Sequence, residues 1–181
     1  MHSGSPERIY LEKGEYAMNL EFEPLSIKHA GRVMDIFNYY IENSFAAYPD
    51  AKLPGEFFNM FLESAKQYPA YVMKPESEDR IIGFCLLRAY NPFPSFRETA
   101  EISYFIDPEC VGRGLGKKAL DLLEEDAKKR GVKTLLAEIS SENAASLSFH
   151  RKNGFAECGR MKEIGVKFGK HFDVVWMQKT I

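Results

Sequence analysis

Two hydrophobic patterns meet near the middle of the chain. Between Ala100 and Ile106, apolar and polar residues alternate, which is the period of a β-strand. From Leu115 to Arg130, apolar residues recur every three or four positions, which predicts an amphipathic helix. Pro108 ends the strand because proline has no amide hydrogen for the ladder. The pattern therefore predicts a strand, a glycine-rich turn and a helix over residues 100–130.

The rest of the chain carries similar signals. A helix is predicted from an N-cap at Ser26 to Ile41, and His29 falls off its apolar stripe, so we expect His29 at the surface. A second helix runs from Pro54 to about Tyr68. Further predicted elements are strands at Met18–Phe22, Ala70–Lys74, Arg80–Tyr90, Val132–Ile139, Phe155–Gly159 and Phe172–Gln178, a short helix that ends at Gly154, and a long connector at Arg160–His171. This order predicts a single α/β (α+β) domain at residues 18–181, preceded by a flexible arm at residues 1–17.

Composition limits the classes of function. The 181 residues are 45% hydrophobic and 28% charged with a net charge of −2, so nothing indicates a nucleic-acid partner. No apolar run approaches the ~20 residues of a membrane span. The three cysteines lack metal-ligand spacing and the four histidines are scattered, so we expect no metal. The N-terminus lacks the apolar segment of a signal peptide, so we expect a cytoplasmic protein.

The turn after the central strand has the features of an anion site. Gly112, Gly114 and Gly116 alternate, so the backbone can approach a ligand without an intervening Cβ atom. Amides at the start of a helix point outward and carry partial positive charge, and Arg113 and Lys117 add cations. We interpret the turn as a phosphate site. The alternative is an ordinary glycine-rich loop with solvated basic residues.

Known phosphate motifs fit this turn unequally. A P-loop would need serine or threonine where Lys118 stands. Residues 114–119 do fit the dinucleotide pattern G-x-G-x-x-A, and Glu138 lies about 20 residues on, where a ribose-binding acid is sought. Too few residues follow Glu138 for the rest of a dinucleotide sheet, and several predicted strands precede the motif. A nicotinamide-dependent dehydrogenase stays open as an alternative.

Several motifs together resemble one enzyme family. Val111–Gly116 resembles the pyrophosphate loop of the GNAT superfamily of N-acetyltransferases, and Asn143–Phe155 resembles its second signature. Ile41–Ser44, Thr99–Pro108 and Lys167–Val174 are similar to the phosphinothricin acetyltransferase-like branch. The resemblance implies a GNAT-like, mostly antiparallel central sheet flanked by helices, with a splayed central strand pair that binds CoA. It also implies acetyl-CoA as cosubstrate, a small-molecule amine as acceptor and a homodimer as one assembly to test.

The same resemblance assigns the residues that would bind CoA. The backbone of Tyr104, Phe105 and Ile106 would bind the pantetheine arm like an added strand, and Asn143 would hydrogen-bond the arm or cap its helix. The residues expected at the pyrophosphate are Val111, Gly112, Arg113, Gly114, Leu115, Gly116 and Lys117. Val111 departs from the glutamine or arginine usual at the first position of the loop motif.

Glu101 and His150 are the catalytic candidates. Glu101 would take the ammonium proton, and an unpaired carboxylate in this apolar strand should have a raised pKa. The alternative is a structural carboxylate bonded to a neighbouring strand or to Arg97. His150 would protonate the leaving thiolate. The alternative is a helix histidine that is exposed or packed against Phe155.

The acceptor site is predicted from one helix end and one loop. By resemblance, the helix end at Glu42 faces the acceptor, and the proline-stiffened loop with Phe93, Phe96 and Arg97 forms a pocket wall. Phe93 stands where the branch carries an arginine, and Arg97 is the nearby substitute. The predicted reaction is acetyl-CoA-dependent N-acetylation of a small amine, such as an amino acid or its analogue, by direct attack. An acyl-CoA-binding sensor without turnover is the alternative from another class.

Overall fold

The computed structural model describes residues 19–181 of the chain. The predicted arm at residues 1–17 and the start of the predicted first strand at Met18 lie outside the described residues. The strands and helices are β1 (Leu20–Pro24), α1 (Ala30–Asn43), α2 (Phe58–Gln67), β2 (Ala70–Pro75), β3 (Gly83–Ala89), β4 (Thr99–Ile106), α3 (Leu115–Lys129), β5 (Thr134–Ser140), α4 (Ala144–Lys152), β6 (Ala156–Lys167) and β7 (Lys170–Thr180).

Within this range the strands form one sheet in the order β1-β2-β3-β4-β5-β7-β6. Neighbouring strands are antiparallel except β4 and β5, which run parallel. The predicted mixed, mostly antiparallel sheet flanked by helices is therefore confirmed.

Two hydrophobic clusters cover the two faces of the sheet. Phe84 and Leu86 of β3 belong to the cluster that includes α1, whereas Cys85 and Leu87 belong to the cluster that includes α3. Successive side chains of a strand point to opposite faces. Helices on both faces therefore explain why β3 is a nearly continuous apolar run.

The central pair of strands separates partway along its length. β4 and β5 pair only where Thr99–Glu101 meets Thr134–Leu136, although both strands continue beyond those residues. The second halves of the strands, Ile102–Ile106 and Ala137–Ser140, therefore face each other without ladder pairing. This confirms the splayed central pair that the family resemblance implied.

Two predictions about local structure are wrong. His29 is only 3% exposed, because residues 27–29 form a 3₁₀ turn before α1 and change the phase of the helix face. Its Nδ1 accepts a hydrogen bond from the Ser26 amide at 3.1 Å. The expected connector at Arg160–His171 is instead most of a hairpin, in which β6 continues to Lys167 and β7 begins at Lys170. Irregular register between Met161 and Gly165 hides the strand period there.

Among residues 19–181, no helix combines the length and the apolar character needed to cross a bilayer.

Candidate active site

A cleft opens beside the turn that joins β4 to α3. Gly112 and Gly114 have φ angles of 83° and 77°, a left-handed conformation that favours glycine. In the described part of the chain, no backbone carbonyl accepts a hydrogen bond from the amides of residues 112–116. These amides lie at the positive end of the α3 dipole, an arrangement that favours a bound anion. Binding of the CoA pyrophosphate here stays a prediction.

The cleft collects most of the residues predicted to bind CoA. Its lining includes Tyr104, Phe105, Ile106, Val111, Gly112, Gly114, Leu115, Gly116, Lys117 and Asn143. Arg113 is not part of this lining, and its Nη2 donates to the Glu109 carbonyl at 3.1 Å. Tyr40, Ala46, Ala145, Ser146 and Phe149 also line the cleft. These five residues were not predicted, because nothing in the local pattern shows which loop and helix faces meet there.

The separated halves of β4 and β5 form a narrow slot next to the cleft. The slot is lined by residues 102–105 and 137–140, with Asn143, Ser146 and His150 at one side. Asn143 caps α4, because its Oδ1 accepts from the Ser146 amide at 3.1 Å. Unpaired strand backbone along a slot of this kind can bind an extended ligand as an added strand.

His150 lies beside the slot in a closed hydrogen-bonded arrangement. Its Nδ1 donates to the Ser146 carbonyl at 2.8 Å, so Nε2 of the neutral ring accepts from the Tyr104 hydroxyl. The ring also contacts Phe155, with centroids 4.9 Å apart. Burial lowers the pKa of His150 and raises that of Tyr104. The predicted packing on Phe155 is therefore present, and the predicted catalytic role of His150 stays a prediction.

The buried histidines predict how stability depends on pH. Burial lowers the pKa of both His29 and His150 below the ordinary value near 6.5. Below about pH 6.5 the unfolded chain therefore binds more protons than the folded protein, and stability falls with falling pH. We expect the double variant His29→Gln, His150→Gln to lose less unfolding free energy than wild type between pH 7.5 and 5.5 in urea titrations. Equal losses in both proteins would contradict this expectation.

A second cavity, of about 290 Å³, adjoins the slot on the face covered by α1 and α2. Phe37, Phe57 and Phe61 form its aromatic wall, and the Phe37 ring centroid lies 5.9 Å from that of Phe57 and 5.3 Å from that of Phe61. These side chains serve both the core and the cavity. Among the described residues, the cavity shares only Ala46 and Phe105 with the lining of the cleft beside the turn.

Charged side chains line this second cavity, which is here called the acceptor-side cavity after its predicted occupant. Glu101 is 9% exposed and accepts hydrogen bonds from Nε of Arg88, at 2.8 Å, and from Nη2 of the same side chain. Arg88 is the register partner of Glu101 on β3. The carboxylate is thus bonded to a neighbouring strand, which is one of the two structural alternatives considered for it. Its action as the base stays a prediction.

Glu138 is a second carboxylate of the same cavity, and it also lines the slot. Burial, and then the nearby charge of Glu101, raise its pKa, whereas Arg88 and the nearby Tyr48 hydroxyl oppose that rise. In the sequence, Glu138 was a candidate only as a ribose-binding acid. A charged residue inside the apolar strand Val132–Ile139 was the signal that could have placed it in the site.

The loop that follows α1, residues 44–48, lies over the slot, the cleft and the acceptor-side cavity and is here called the roof loop. Ala46 lines all three, and Ala47 and Tyr48 line the acceptor-side cavity. Lys167, only 2% exposed, holds the loop, because its Nζ donates to the carbonyls of Ser44 at 2.8 Å and Ala47 at 2.6 Å. Hydrogen bonds from Lys167 therefore link the end of the β6–β7 hairpin to the roof loop.

The residues predicted to meet the acceptor lie apart from these cavities. Phe93 and Phe96 are 67% and 40% exposed, and neither Arg97 nor Glu42 lines the cleft, the slot or the acceptor-side cavity. Glu42 pairs with Lys52 at 3.2 Å. Their contact with the acceptor stays a prediction. Within residues 19–181, no group of three or more His, Cys, Asp or Glu residues is placed to hold a metal ion.

Comparison with known proteins agrees with this geometry. An L-methionine sulfoximine/L-methionine sulfone acetyltransferase from Pseudomonas aeruginosa is 31% identical over 164 residues, which cover 86% of this chain and 94% of that protein. An L-amino acid N-acyltransferase from Escherichia coli is 29% identical over 81% of this chain and 85% of its own length. The structure of a GNAT superfamily phosphinothricin acetyltransferase from Sinorhizobium meliloti in complex with AcCoA superposes with a TM-score of 0.85 at 25% identity, covering 91% of this chain and 89% of that one.

A splayed sheet with a glycine-rich turn beside its central strands and an adjoining second cavity is the architecture of an N-acetyltransferase. The model of the Acetyltransferase (GNAT) family matches residues 33–155, and the chain belongs to that family.

Proposed function

We propose that this enzyme transfers the acetyl group of acetyl-CoA to the amine of a small amino-acid-type acceptor. The observation that carries the proposal is the slot between β4 and β5, which lies between the cleft at residues 112–116 and a cavity that holds Arg88, Glu101 and Glu138. Within residues 19–181, no backbone carbonyl accepts a hydrogen bond from the amides of residues 112–116. The names of the relatives, which are amino-acid and methionine sulfoximine acetyltransferases, support the same acceptor class.

The cleft would hold acetyl-CoA through backbone groups. Amides of residues 112–116 would bind the pyrophosphate, and the unpaired edges of β4 and β5 would hold the pantetheine arm in the slot. Amides that face the slot would stabilise the oxyanion that forms when the thioester carbonyl is attacked. Positioning of the two reactants in adjoining cavities would supply much of the rate.

The acceptor-side cavity fits a small zwitterion with an apolar part. The guanidinium of Arg88, whose side chain is 50% exposed, would pair with a carboxylate of the acceptor. The carboxylates of Glu101 and Glu138 would receive its ammonium, and the wall of Phe37, Phe57 and Phe61 would contact its side chain. This arrangement supports uncharged amino acids and their sulfone, sulfoximine or phosphinyl analogues over polyamines.

A thiol-release assay tests the proposal directly. Purified enzyme with acetyl-CoA is offered amino acids, their sulfoximine, sulfone and phosphinyl analogues, and polyamines, and acetylated product is identified by mass spectrometry. We expect release of CoA with an uncharged amino acid or analogue and little release with polyamines. Binding of acetyl-CoA without release for any amine would favour the non-catalytic sensor instead, and binding of NADH in its place would favour the dehydrogenase.

A double variant separates catalysis from cofactor binding. We expect Glu101→Gln, His150→Gln to lose at least about 100-fold in kcat/KM, because two groups proposed to act in proton transfer or positioning are removed together. Acetyl-CoA affinity by calorimetry should stay near that of wild type. Unchanged turnover would contradict the assignment of both residues to the site.

Assembly as a homodimer is part of the proposal. The exposed apolar side chains of Met161, Ile164, Val166 and Phe168 on the β6–β7 hairpin support it, since exposed apolar residues are common at subunit contacts. Sedimentation velocity would show the expected dimer, and a monomer at all concentrations would argue against it.

A further inference from the structure

We propose that Glu138, rather than Glu101, accepts the proton of the acceptor ammonium, and that Glu101 together with Arg88 positions the acceptor. This inference rests on the proposed N-acetylation and names the group that performs its first proton transfer. It replaces the expectation from the sequence that Glu101 is the base.

Sheet register places Glu138 closer than Glu101 to the point of reaction. Arg88, Glu101 and Leu136 are register partners across β3, β4 and β5, so their side chains share one face of the sheet. Leu136 is also the last residue of β5 that pairs with β4. Glu138 follows two residues later on the same face, where the strands have already separated.

The residues that line the slot and the acceptor-side cavity also place Glu138 nearer than Glu101 to the expected thioester. Glu138 lines both the slot, where a thioester would lie, and the acceptor-side cavity. Glu101 lines the acceptor-side cavity but not the slot. Both of its hydrogen bonds from Arg88 go to the same carboxylate oxygen. An amine that reaches from the cavity into the slot can therefore contact Glu138 in both places, but Glu101 only in the cavity.

The neighbours of Glu138 suit it to proton transfer. The charged and titratable groups that affect its pKa are Glu101 from β4, Arg88 from β3 and Tyr48 from the roof loop. Tyr104 and His150 line the same slot. The register partner of Glu138 on β7 is the uncharged Trp176. Burial and Glu101 raise the pKa of Glu138. Of two neighbouring carboxylates, the one neutralised by an arginine is suited to binding, and the one with the raised pKa is the better base.

The step balances without a further reactant. The ammonium gives one proton to Glu138, and the neutral nitrogen attacks the thioester carbonyl carbon to form the C–N bond. The C–S bond then breaks, the sulfur receives the second proton from nitrogen, and Glu138 returns its proton to water. The products are the amide, free CoA thiol and one proton.

The pH dependence of kcat/KM distinguishes the two carboxylates, because its acidic limb reports the base of the free enzyme. We expect Glu138→Gln to lose about 10²–10⁴-fold in kcat/KM at neutral pH and to abolish the limb. Glu101→Gln should keep the limb and move it to lower pH, since the like charge that raises the pKa of Glu138 is gone. Tyr48→Phe should move it to higher pH, since the hydroxyl that lowers the pKa of Glu138 from the same cavity is gone.

The matched control is Glu157→Gln, which neutralises a carboxylate on β6 that pairs with Arg160 outside the site, and it should leave the profile unchanged. Thermal melting and acetyl-CoA binding check that each variant is folded. If Glu138→Gln does not fold, the directions of the shifts in the other two variants decide the question. The proposal is overturned if the limb survives in Glu138→Gln, if it disappears in Glu101→Gln, or if wild type has none. Absence of acetyl transfer by wild type would instead overturn the proposed function.

Discussion

Gly114→Ala should weaken acetyl-CoA binding by roughly 10–100-fold. Gly114 is the N-cap of α3 and has a φ of 77°, a left-handed conformation that costs a residue with a Cβ atom about 1–2 kcal/mol. The chain can relieve this strain only by rotating the amides that would bind the pyrophosphate. Each hydrogen bond to a charged group contributes about 1.5–3 kcal/mol, which corresponds to the stated loss in affinity. Calorimetry with acetyl-CoA measures it.

Gly131→Ala is the matched control for this experiment. Gly131 has a φ of 78°, and a Cβ atom there, as at Gly114, would meet nothing within 4 Å. Gly131 follows the other end of α3 and is not part of the cleft lining. Both variants should therefore lose similar unfolding free energy, but only Gly114→Ala should lose acetyl-CoA affinity. Equal affinities in the two variants would show that the turn does not hold the phosphates.

Lys167→Met should damage both stability and acceptor turnover. The buried Nζ of Lys167 donates to two carbonyls of the roof loop, and methionine leaves both acceptors without that donor. Each unsatisfied buried group costs about 1–3 kcal/mol, so for the two carbonyls we expect a loss of about 2–6 kcal/mol in unfolding free energy. Movement of the loop displaces Ala47 and Tyr48 in the acceptor-side cavity and should lower kcat/KM for the acceptor by roughly 10–100-fold.

Lys162→Met provides the comparison, because Lys162 lies on the same strand but is exposed. Its substitution should change stability by less than about 0.5 kcal/mol and should leave turnover unchanged. Urea titration and steady-state kinetics measure both effects. Equal effects of the two substitutions would mean that removal of positive charge from β6, and not the loss of the bonds to the roof loop, is responsible.

The sequence predicted the parts of the fold that depend on local pattern. The turn at Gly112–Gly116, the strand before it and the helix after it all carry short-range signals, and each lies where it was expected. His29 was placed wrongly, because a single 3₁₀ turn shifts which residues of a helix face inward. The β6–β7 hairpin was missed in part because irregular register interrupts the alternation that marks a strand.

The acceptor side of the site depends on contacts between distant segments. Arg88 meets Glu101 through strand register, Tyr48 meets Glu138 through a loop, and Lys167 reaches the carbonyl of Ala47 across 120 residues of sequence. No local period or motif encodes such pairings. Much of the cleft beside the turn was predictable, because the strand, the turn and the start of the helix that line it each carry a local signal.

The cleft beside the turn and the acceptor-side cavity are separate compartments that, among the described residues, share Ala46 and Phe105 in their linings. We therefore expect that either reactant can bind first and that both must be bound before the acyl group moves. Initial-rate plots against one reactant at several fixed amounts of the other should give intersecting rather than parallel lines, and mass spectra of enzyme mixed with acetyl-CoA alone should show no acetylated protein.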